Sequence, residues 1–301
     1  MLNSLIKISD CDYDDLNNII ISAIEFKNGK KSNILNNKTG VLLFDKPSLR
    51  TKLSFMVGIE KLGGNSIYFS PEEIGMGSRE PIPDVSSVVS RMADLAIIRT
   101  FEQNKIESYS KFSSIPVINA LTDDDHPCQA LADILTIYEN NGDFKNKNIA
   151  FIGDSNNVAK SLGYAVLTLG GNFSVASPSG YSFNKETIDL FSSLENKNFI
   201  NTENPEEIIK NADIVYTDVW TSMGQESEKK QRLVDFKGFQ VTSKLLDKAN
   251  KNVKFMHDLP AHPGEEIEEG LLYNPKSIVF DQAENRLWAQ TALIDYIFRS
   301  L

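Results

Sequence analysis

The sequence has few cysteines, few histidines and no long hydrophobic run. Its 301 residues include only two cysteines, Cys11 and Cys128, which is too few for a disulfide framework and typical of a reducing compartment. No window approaches the ~18 apolar residues of a membrane-spanning helix. The first residues turn acidic too quickly for a signal peptide. We therefore expect a cytoplasmic protein with no membrane partner.

Positive charge is also scarce. Lysine and arginine number 31 against 41 aspartates and glutamates, which gives a net charge of −10. A chain this acidic repels nucleic-acid phosphates, so no nucleic-acid partner is expected. The three histidines and two cysteines show no metal-ligand spacing, so we expect no metal site. At about 150 residues per domain, the length indicates two domains.

Short apolar runs alternate with stretches of helical period along most of the chain. Val41–Phe44, Leu95–Ile98, Ile115–Asn119 and Asn148–Gly153 have the composition of buried strands, and Val85–Met92 has a helical period. The alternation of apolar runs and helical stretches is interrupted near Asn140–Asn148 and then resumes. It predicts an α/β fold: two domains, each with a mostly parallel sheet flanked by helices, and an active site in the cleft between them.

Polar residues collect where the predicted strands end, which is where ligands bind in open parallel sheets. Ser48, Arg50 and Thr51 begin a helix after the first strand, an arrangement typical of a phosphate or carboxylate site or simply of a capped helix. His126 stands at the start of another predicted helix, where it either caps that helix or donates a hydrogen bond to a carbonyl oxygen. The turn at 153–157 has one glycine where a dinucleotide-binding turn needs three.

Together these motifs resemble the aspartate/ornithine carbamoyltransferase family, on its ornithine branch, over nearly the whole chain. The stretch at 218–226 is close to D-x-W-x-S-M-G-Q-E, the most diagnostic motif for ornithine rather than aspartate. The other matching segments are Ser48–Lys52 (S-T-R-T-R), Ile98–Thr100, His126–Gln129 (H-P-C-Q), Gly153–Asn157 and Glu284–Leu287.

The resemblance implies transfer of the carbamoyl group of carbamoyl phosphate to the side-chain amine of L-ornithine, giving L-citrulline and phosphate without a cofactor. It implies three sets of residues. The carbamoyl-phosphate site would comprise Ser48, Leu49, Arg50, Thr51, Lys52, Arg99, His126, Gln129, Leu259 and Arg286. The ornithine site would comprise Asn157, Asp218, Ser222 and Met223, and the catalytic groups would be Arg50, Thr51, Arg99, His126 and Asp258.

The resemblance also implies domain roles and an assembly. We expect a carbamoyl-phosphate-binding domain over residues 1–139, rejoined by a C-terminal helix over 285–301, and an ornithine-binding domain over 140–284. The family forms trimeric rings, so a homotrimer or a multiple of trimers is expected. A neighbour's loop around Gly75–Glu80 would complete each site.

The sequence departs from the family pattern at several positions. Asp258 replaces the cysteine of H-C-L-P, and a carboxylate about 5 Å from carbamoyl phosphate would repel it by roughly 3 kcal/mol at an effective dielectric of about 20. Lys52 replaces an arginine, which keeps the charge but loses the planar fork. The remaining differences are Pro47 and Leu49 for threonines and Pro263 for an arginine.

These departures leave two alternatives beside ornithine transfer. One is a carbamoyltransferase for another amine, such as putrescine or an N-acylornithine. The other is a weakly catalytic regulatory homologue. Asp218 and the segment at 222–224 favour a substrate with a free α-amino group.

Overall fold

The structure is a computed structural model that describes residues 2–195 and 198–301. The chain divides into two compact units, residues 1–135 with 284–301 and residues 136–283. The strands are β1 (Thr39–Phe44), β2 (Asn65–Phe69), β3 (Leu95–Arg99), β4 (Val117–Leu121), β5 (Asn148–Ile152), β6 (Asn172–Ala176), β7 (Phe199–Thr202), β8 (Ile214–Tyr216) and β9 (Lys254–Met256).

The α-helices follow or precede these strands along the chain. In order they are α1 (Tyr13–Lys27), α2 (Leu49–Lys61), α3 (Pro71–Ile74), α4 (Ile82–Val89), α5 (Gln103–Phe112), α6 (Pro127–Asn141), α7 (Asn157–Thr168), α8 (Lys185–Ser192), α9 (Pro205–Ile209), α10 (Lys229–Asp235), α11 (Ser243–Leu246) and α12 (Val279–Arg299). Within the described ranges, no helix is both long and apolar enough to cross a bilayer.

The first unit contains a four-stranded parallel sheet in the order β2-β1-β3-β4. Its two central strands are almost wholly buried because both faces of the sheet are covered, as is typical of parallel sheets. Helix α12 packs against α2, where a Cβ at Gly58 would lie 2.9 Å from the Thr291 hydroxyl. The C-terminal helix therefore belongs to this unit from Glu284 onward.

The second unit contains a five-stranded parallel sheet in the order β7-β6-β5-β8-β9. Its strands pack into a buried cluster that includes Ile152, Val215 and Phe255. The sheet order places β5 beside β8 and β8 beside β9, so the residues that follow these three strands share one edge. The predicted α/β class, with two helix-flanked parallel sheets, is confirmed.

Some predicted boundaries are wrong. The helix expected at Val85–Met92 runs from Ile82 to Val89, because Pro81 and Pro83 fit the start of a helix. The strand expected at Ile115–Asn119 runs from Val117 to Leu121. Predicted strand ends differ by one or two residues elsewhere, which moves no functional side chain to another element.

Candidate active site

In the first unit, the turn after β1 leads into the start of α2. The Ser48 hydroxyl caps α2 by accepting the Thr51 N–H at 3.3 Å. The first backbone N–H groups of a helix have no partner within the helix, and its dipole favours an anion there. Arg50 is half-buried in this first turn, and Leu49 is 76% exposed, so Leu49 offers its backbone rather than its side chain.

Two arginines from distant parts of the chain meet the hydroxyl of Thr51. Arg99 Nη1 lies 3.4 Å and Arg286 Nη2 lies 3.2 Å from Thr51 Oγ1. Arg99 ends β3 at an irregularity in the β3–β4 pairing, and such bulges redirect side chains. Both guanidinium groups are almost fully buried, so the cluster concentrates positive charge beside the start of α2.

A chain of hydrogen bonds fixes Arg286. Its Nη1 donates to Gln129 Oε1 at 2.6 Å, and Gln129 Nε2 in turn donates to Asp133 Oδ1 at 2.9 Å. With its amide oxygen turned toward the guanidinium, Gln290 accepts from Arg286 Nη2 at 2.9 Å and from Nε at 3.1 Å. The guanidinium is therefore held rigidly, a condition for electrostatic stabilisation of a developing charge.

His126 is kept neutral beside these cations. Burial, followed by the positive charges of Arg286 and Arg99, holds the pKa of His126 well below its usual range. Lys46 adds a smaller contribution of the same sign. A neutral imidazole can donate an N–H to an oxygen as that oxygen gains negative charge, which is the role that the H-P-C-Q motif implied.

Lysines 46 and 52 have aromatic partners. Lys52 Nζ lies 3.5 Å from the centre of the Tyr68 ring, in a cation–π contact. Lys46, which the sequence analysis does not place in the site, is 3% exposed, forms an ion pair with Asp123 and lies 4.1 Å over the Phe101 ring. Lys46 therefore reinforces the positive potential at His126.

In the second unit, Asp218 follows β8 and is held by the turn after β5. Asn156 Nδ2 donates to Asp218 Oδ2 at 2.7 Å, and the Val219 N–H donates to Oδ1 at the same distance. Asn156 also caps α7, since its Oδ1 accepts the N–H groups of Val158 and Ala159. The family resemblance implies Asn157 for substrate binding, whereas Asn156 is the residue that contacts Asp218.

His257 and Asp258 follow β9 and form a buried acidic network. His257 Nδ1 lies 3.4 Å from Asp258 Oδ1, and its Nε2 lies 3.2 Å from Oε1 of the fully buried Glu266. Leu259 has a φ of 59°, a left-handed conformation rare for a branched residue and typical of functional sites. Glu266 belongs to none of the predicted sets of site residues, although it takes the last position of the segment at 262–266 that resembles the family's H-R-G-E-E stretch.

This network retains a proton at neutral pH. Burial and the adjacent Asp258 carboxyl hold the pKa of Asp218 well above its usual range. Burial disfavours a charged His257, but hydrogen bonds with Asp258 and Glu266 outweigh it and raise the pKa of His257 to about 9. The Leu259 N–H donates to His257 Nδ1 at 2.9 Å, so that nitrogen acts as an acceptor. This contact favours a proton shared by Asp218 and Asp258 over a proton on His257 Nδ1.

The remaining predicted binding residues lie on their own local turns. Ser222 N donates to Gln225 Oε1 at 3.1 Å, and Gln225 N returns a bond to Ser222 O at 3.0 Å. Met223 is 46% exposed at the tip of this loop. Asn157 is half-buried at the start of α7, where its Oδ1 accepts the Val158 N–H.

Two groups of side chains in the described ranges are close enough to hold a cation. Within each group the candidate ligand atoms lie within 4.8 Å of one another. The groups are Asp218 with His257 and Asp258, and His262 with Glu265 and Glu266. Spacing along the sequence cannot reveal the first group, because Asp218 comes from a different strand. The expectation of no metal stays a prediction.

Family models match both parts of the chain. Residues 3–139 match the carbamoyl-P binding domain of aspartate/ornithine carbamoyltransferase, and residues 145–297 match its Asp/Orn binding domain. The ornithine carbamoyltransferase of Caldicellulosiruptor saccharolyticus is 47% identical over 277 residues, which cover 91% of this chain and 90% of that protein.

Solved structures give the same result. Ornithine carbamoyltransferase from Pyrococcus furiosus superposes with a TM-score of 0.94 at 38% identity, covering 99% of this chain and 98% of that one. An acetylornithine transcarbamylase complexed with acetylcitrulline shares the fold, with a TM-score of 0.88 over 98% of this chain and 99% of that one, but is only 24% identical. The resemblance predicted from the motifs is confirmed, and this chain belongs to the aspartate/ornithine carbamoyltransferase family.

Proposed function

We propose that the protein is an ornithine carbamoyltransferase, which converts carbamoyl phosphate and L-ornithine to L-citrulline and phosphate. The observation that carries the proposal is the convergence of Arg99 and Arg286 on Thr51 beside a neutral His126. Such a cluster fits an anionic substrate whose carbonyl oxygen gains charge during the reaction. The names of the relatives support ornithine as the amine.

Carbamoyl phosphate would bind at the start of α2. The helix N-terminus, Ser48 and Arg50 would hold the phosphate, while Leu49 contributes its backbone and Lys52 its charge. Arg99, Thr51 and His126 would polarise the carbamoyl carbonyl. Gln129 and Arg286, together with the Leu259 backbone, would orient the carbamoyl group.

The amino acid would bind to the second unit. Asp218 would accept the α-ammonium group, and Asn157, Ser222 and Met223 would complete the site for the α-amino and α-carboxylate groups. The δ-amine must be neutral to attack, and an alkyl amine has a pKa of about 10.4, so roughly one molecule in a thousand is reactive at neutral pH. Activity should therefore rise with pH.

The chemical step forms one bond and breaks one. The δ-amine nitrogen attacks the carbamoyl carbon, the bond from that carbon to the phosphate oxygen breaks, and the amine proton leaves with the phosphate. Positioning of the two substrates supplies much of the acceleration. Asp258, which takes the place of the family cysteine, would act next to the attacking amine.

Initial rates with carbamoyl phosphate test this proposal. Wild type and Asp258→Cys are assayed from about pH 6 to about pH 10 with L-ornithine, putrescine and an N-acylornithine, spanning the titration of the amine. Citrulline formed from ornithine alone supports the proposal. Turnover of another amine would reassign the substrate, and intact ligand binding without turnover by either protein would indicate a regulatory homologue.

We further propose a cytoplasmic homotrimer or a multiple of trimers. The two cysteines are both unbridged and buried, as suits a reducing compartment. Exposed apolar side chains on the first unit, among them Leu53 and Met92, suit a subunit interface. The loop at Gly75–Glu80, which closes on the Gly75 carbonyl, would reach a neighbour's site. Sedimentation analysis should give three, six or more copies.

A further inference from the structure

Arg232 lies outside every predicted set of site residues, yet it contacts the loop that carries Asp218. It is 6% exposed within α10. Its Nη1 lies 2.6 Å from Asp154 Oδ2 and 2.9 Å from the Trp220 carbonyl oxygen. Its Nε lies 2.9 Å from Glu228 Oε2. One guanidinium therefore joins the turn after β5 to the loop after β8.

The surroundings hold this guanidinium in one place. Its central carbon lies 4.9 Å over the Tyr181 ring, and the Tyr181 hydroxyl is itself tied to Asp235 at 2.8 Å. Asp154 is only 13% exposed, so the pair is screened weakly by solvent. Buried charged partners with good geometry are specific in position, because neither can move without leaving the other unpaired.

Two other contacts hold the start of the loop that follows β8. The Trp220 ring stacks on Phe236 with 5.4 Å between ring centres, and Asp218 is bound by Asn156. Asp154 and Asn156 belong to the same turn. That turn is therefore joined to the loop at two points, directly by the bond from Asn156 to Asp218 and indirectly through Arg232, which contacts both Asp154 and Trp220. Beyond Trp220, the bonds of Ser222 described above stay within the loop.

We propose that Arg232 is a positioning residue for the amino-acid substrate, acting through the Trp220 carbonyl to fix the segment from Asp218 to Met223. The inference rests on the proposed function, in which this segment binds ornithine. It assigns Arg232 an effect on one substrate only. Loss of the guanidinium loosens the amino-acid side of the site and leaves the cluster around Thr51, Arg99 and Arg286 unchanged.

Steady-state kinetics of Arg232→Gln and Arg232→Lys test the substrate selectivity. We expect the KM for L-ornithine to rise at least tenfold in Arg232→Gln, with the KM for carbamoyl phosphate unchanged within twofold. Arg232→Lys should recover part of the loss, because an ammonium group can still pair with Asp154. Lys230→Gln removes a cation from an exposed position of the same helix and serves as the matched control.

A second readout needs no turnover. Trp220 and Trp288 are the two tryptophans of the chain, so a Trp288→Phe background leaves Trp220 as the single tryptophan, which can be excited selectively. Arg232→Gln in that background should shift Trp220 emission to the red and increase acrylamide quenching at least twofold, whereas Lys230→Gln should not. Asp154→Asn combined with Arg232→Gln removes both charges of the pair and supplies a folded variant if Arg232→Gln alone is unstable.

The two readouts separate this inference from the proposed function. If Arg232→Gln alters Trp220 fluorescence but the protein does not use ornithine, Arg232 still positions the loop, and ornithine is not the substrate. Unchanged Trp220 emission, or equal losses in the kinetics of both substrates, would overturn the positioning role even if citrulline is formed.

Discussion

Replacing Asp258 by asparagine should move the pH dependence of ornithine binding to lower pH. In the proposed site Asp218 must be ionised to accept an α-ammonium group, and burial together with Asp258 holds the pKa of Asp218 well above its usual range. In the wild type, the KM for ornithine therefore falls as pH rises through the titration of Asp218. Asparagine keeps the shape of the side chain but removes the charge that disfavours the ionised Asp218.

The separation of the Asp218 and Asp258 carboxyl groups sets the scale of the change in ornithine affinity. The ligand atoms of Asp218 and Asp258 lie within 4.8 Å of each other. At an effective dielectric of about 20, two unit charges at that separation repel by about 3.5 kcal/mol. That energy corresponds to a factor of roughly 350 in an equilibrium constant, which sets the order of magnitude of the change in ornithine affinity. We expect a decrease in KM of at least tenfold at the acidic end of the profile.

The assay compares the KM for L-ornithine in wild type, Asp258→Asn and Asp258→Cys across the pH range, with the KM for carbamoyl phosphate as the internal control. At high pH the wild type should have a lower KM for L-ornithine than Asp258→Asn, because the wild type then presents two carboxylates to the ammonium group. Profiles that run parallel in all three proteins would refute the reasoning, since they would show that Asp258 does not influence the ionisation of Asp218.

Two further predictions concern the core of each unit. Arg286→Met removes the hydrogen bonds to Thr51 and Gln129, so kcat with carbamoyl phosphate should fall about 10²–10³-fold in a steady-state assay. It also removes a cation that lowers the pKa of His126, so the residual activity should decrease at acidic pH, and a pH-independent residual rate would contradict this role. Gly163→Ala places a Cβ 2.6 Å from the Phe173 ring, so the free energy of unfolding in urea should fall by about 1–3 kcal/mol, and an unchanged midpoint would contradict the packing.

The alternation of strands and helices was predictable because each buried strand is a compact apolar run. β1 in the first sheet and β5 in the second each contain such a run. β7 is not apparent in the sequence, because it is a four-residue edge strand with Ile200 55% exposed, so neither burial nor alternation marks it. α1 is obscured by its acidic beginning, although Asp12 and Asp15 form a capping box there.

In the candidate site, too, the residues with a local sequence signature differ from those whose position depends on distant contacts. Ser48, Thr51 and His126 were predictable because a capping hydroxyl or a polar helix start leaves a local signature. Asn156 carries the same kind of signature, but sequence alone cannot say which of two adjacent asparagines faces Asp218. The contacts of Arg232 with Asp154 and of Glu266 with His257 leave no local signature, because the partners lie 78 and nine residues apart in the sequence.

The carboxylate of Asp258 is compatible with transfer to ornithine, because the network around it need not carry full charge. Asp258 lies beside Asp218 and His257, and the raised pKa values of both neighbours mean that a proton is retained among the three groups at neutral pH. The negative charge of this part of the second unit is therefore reduced while that proton stays. When the pH rises and the proton leaves, the negative charge increases on the side where an ammonium group would bind. We therefore expect the exchange of cysteine for aspartate at this position to alter the pH dependence of ornithine binding more than the chemical step.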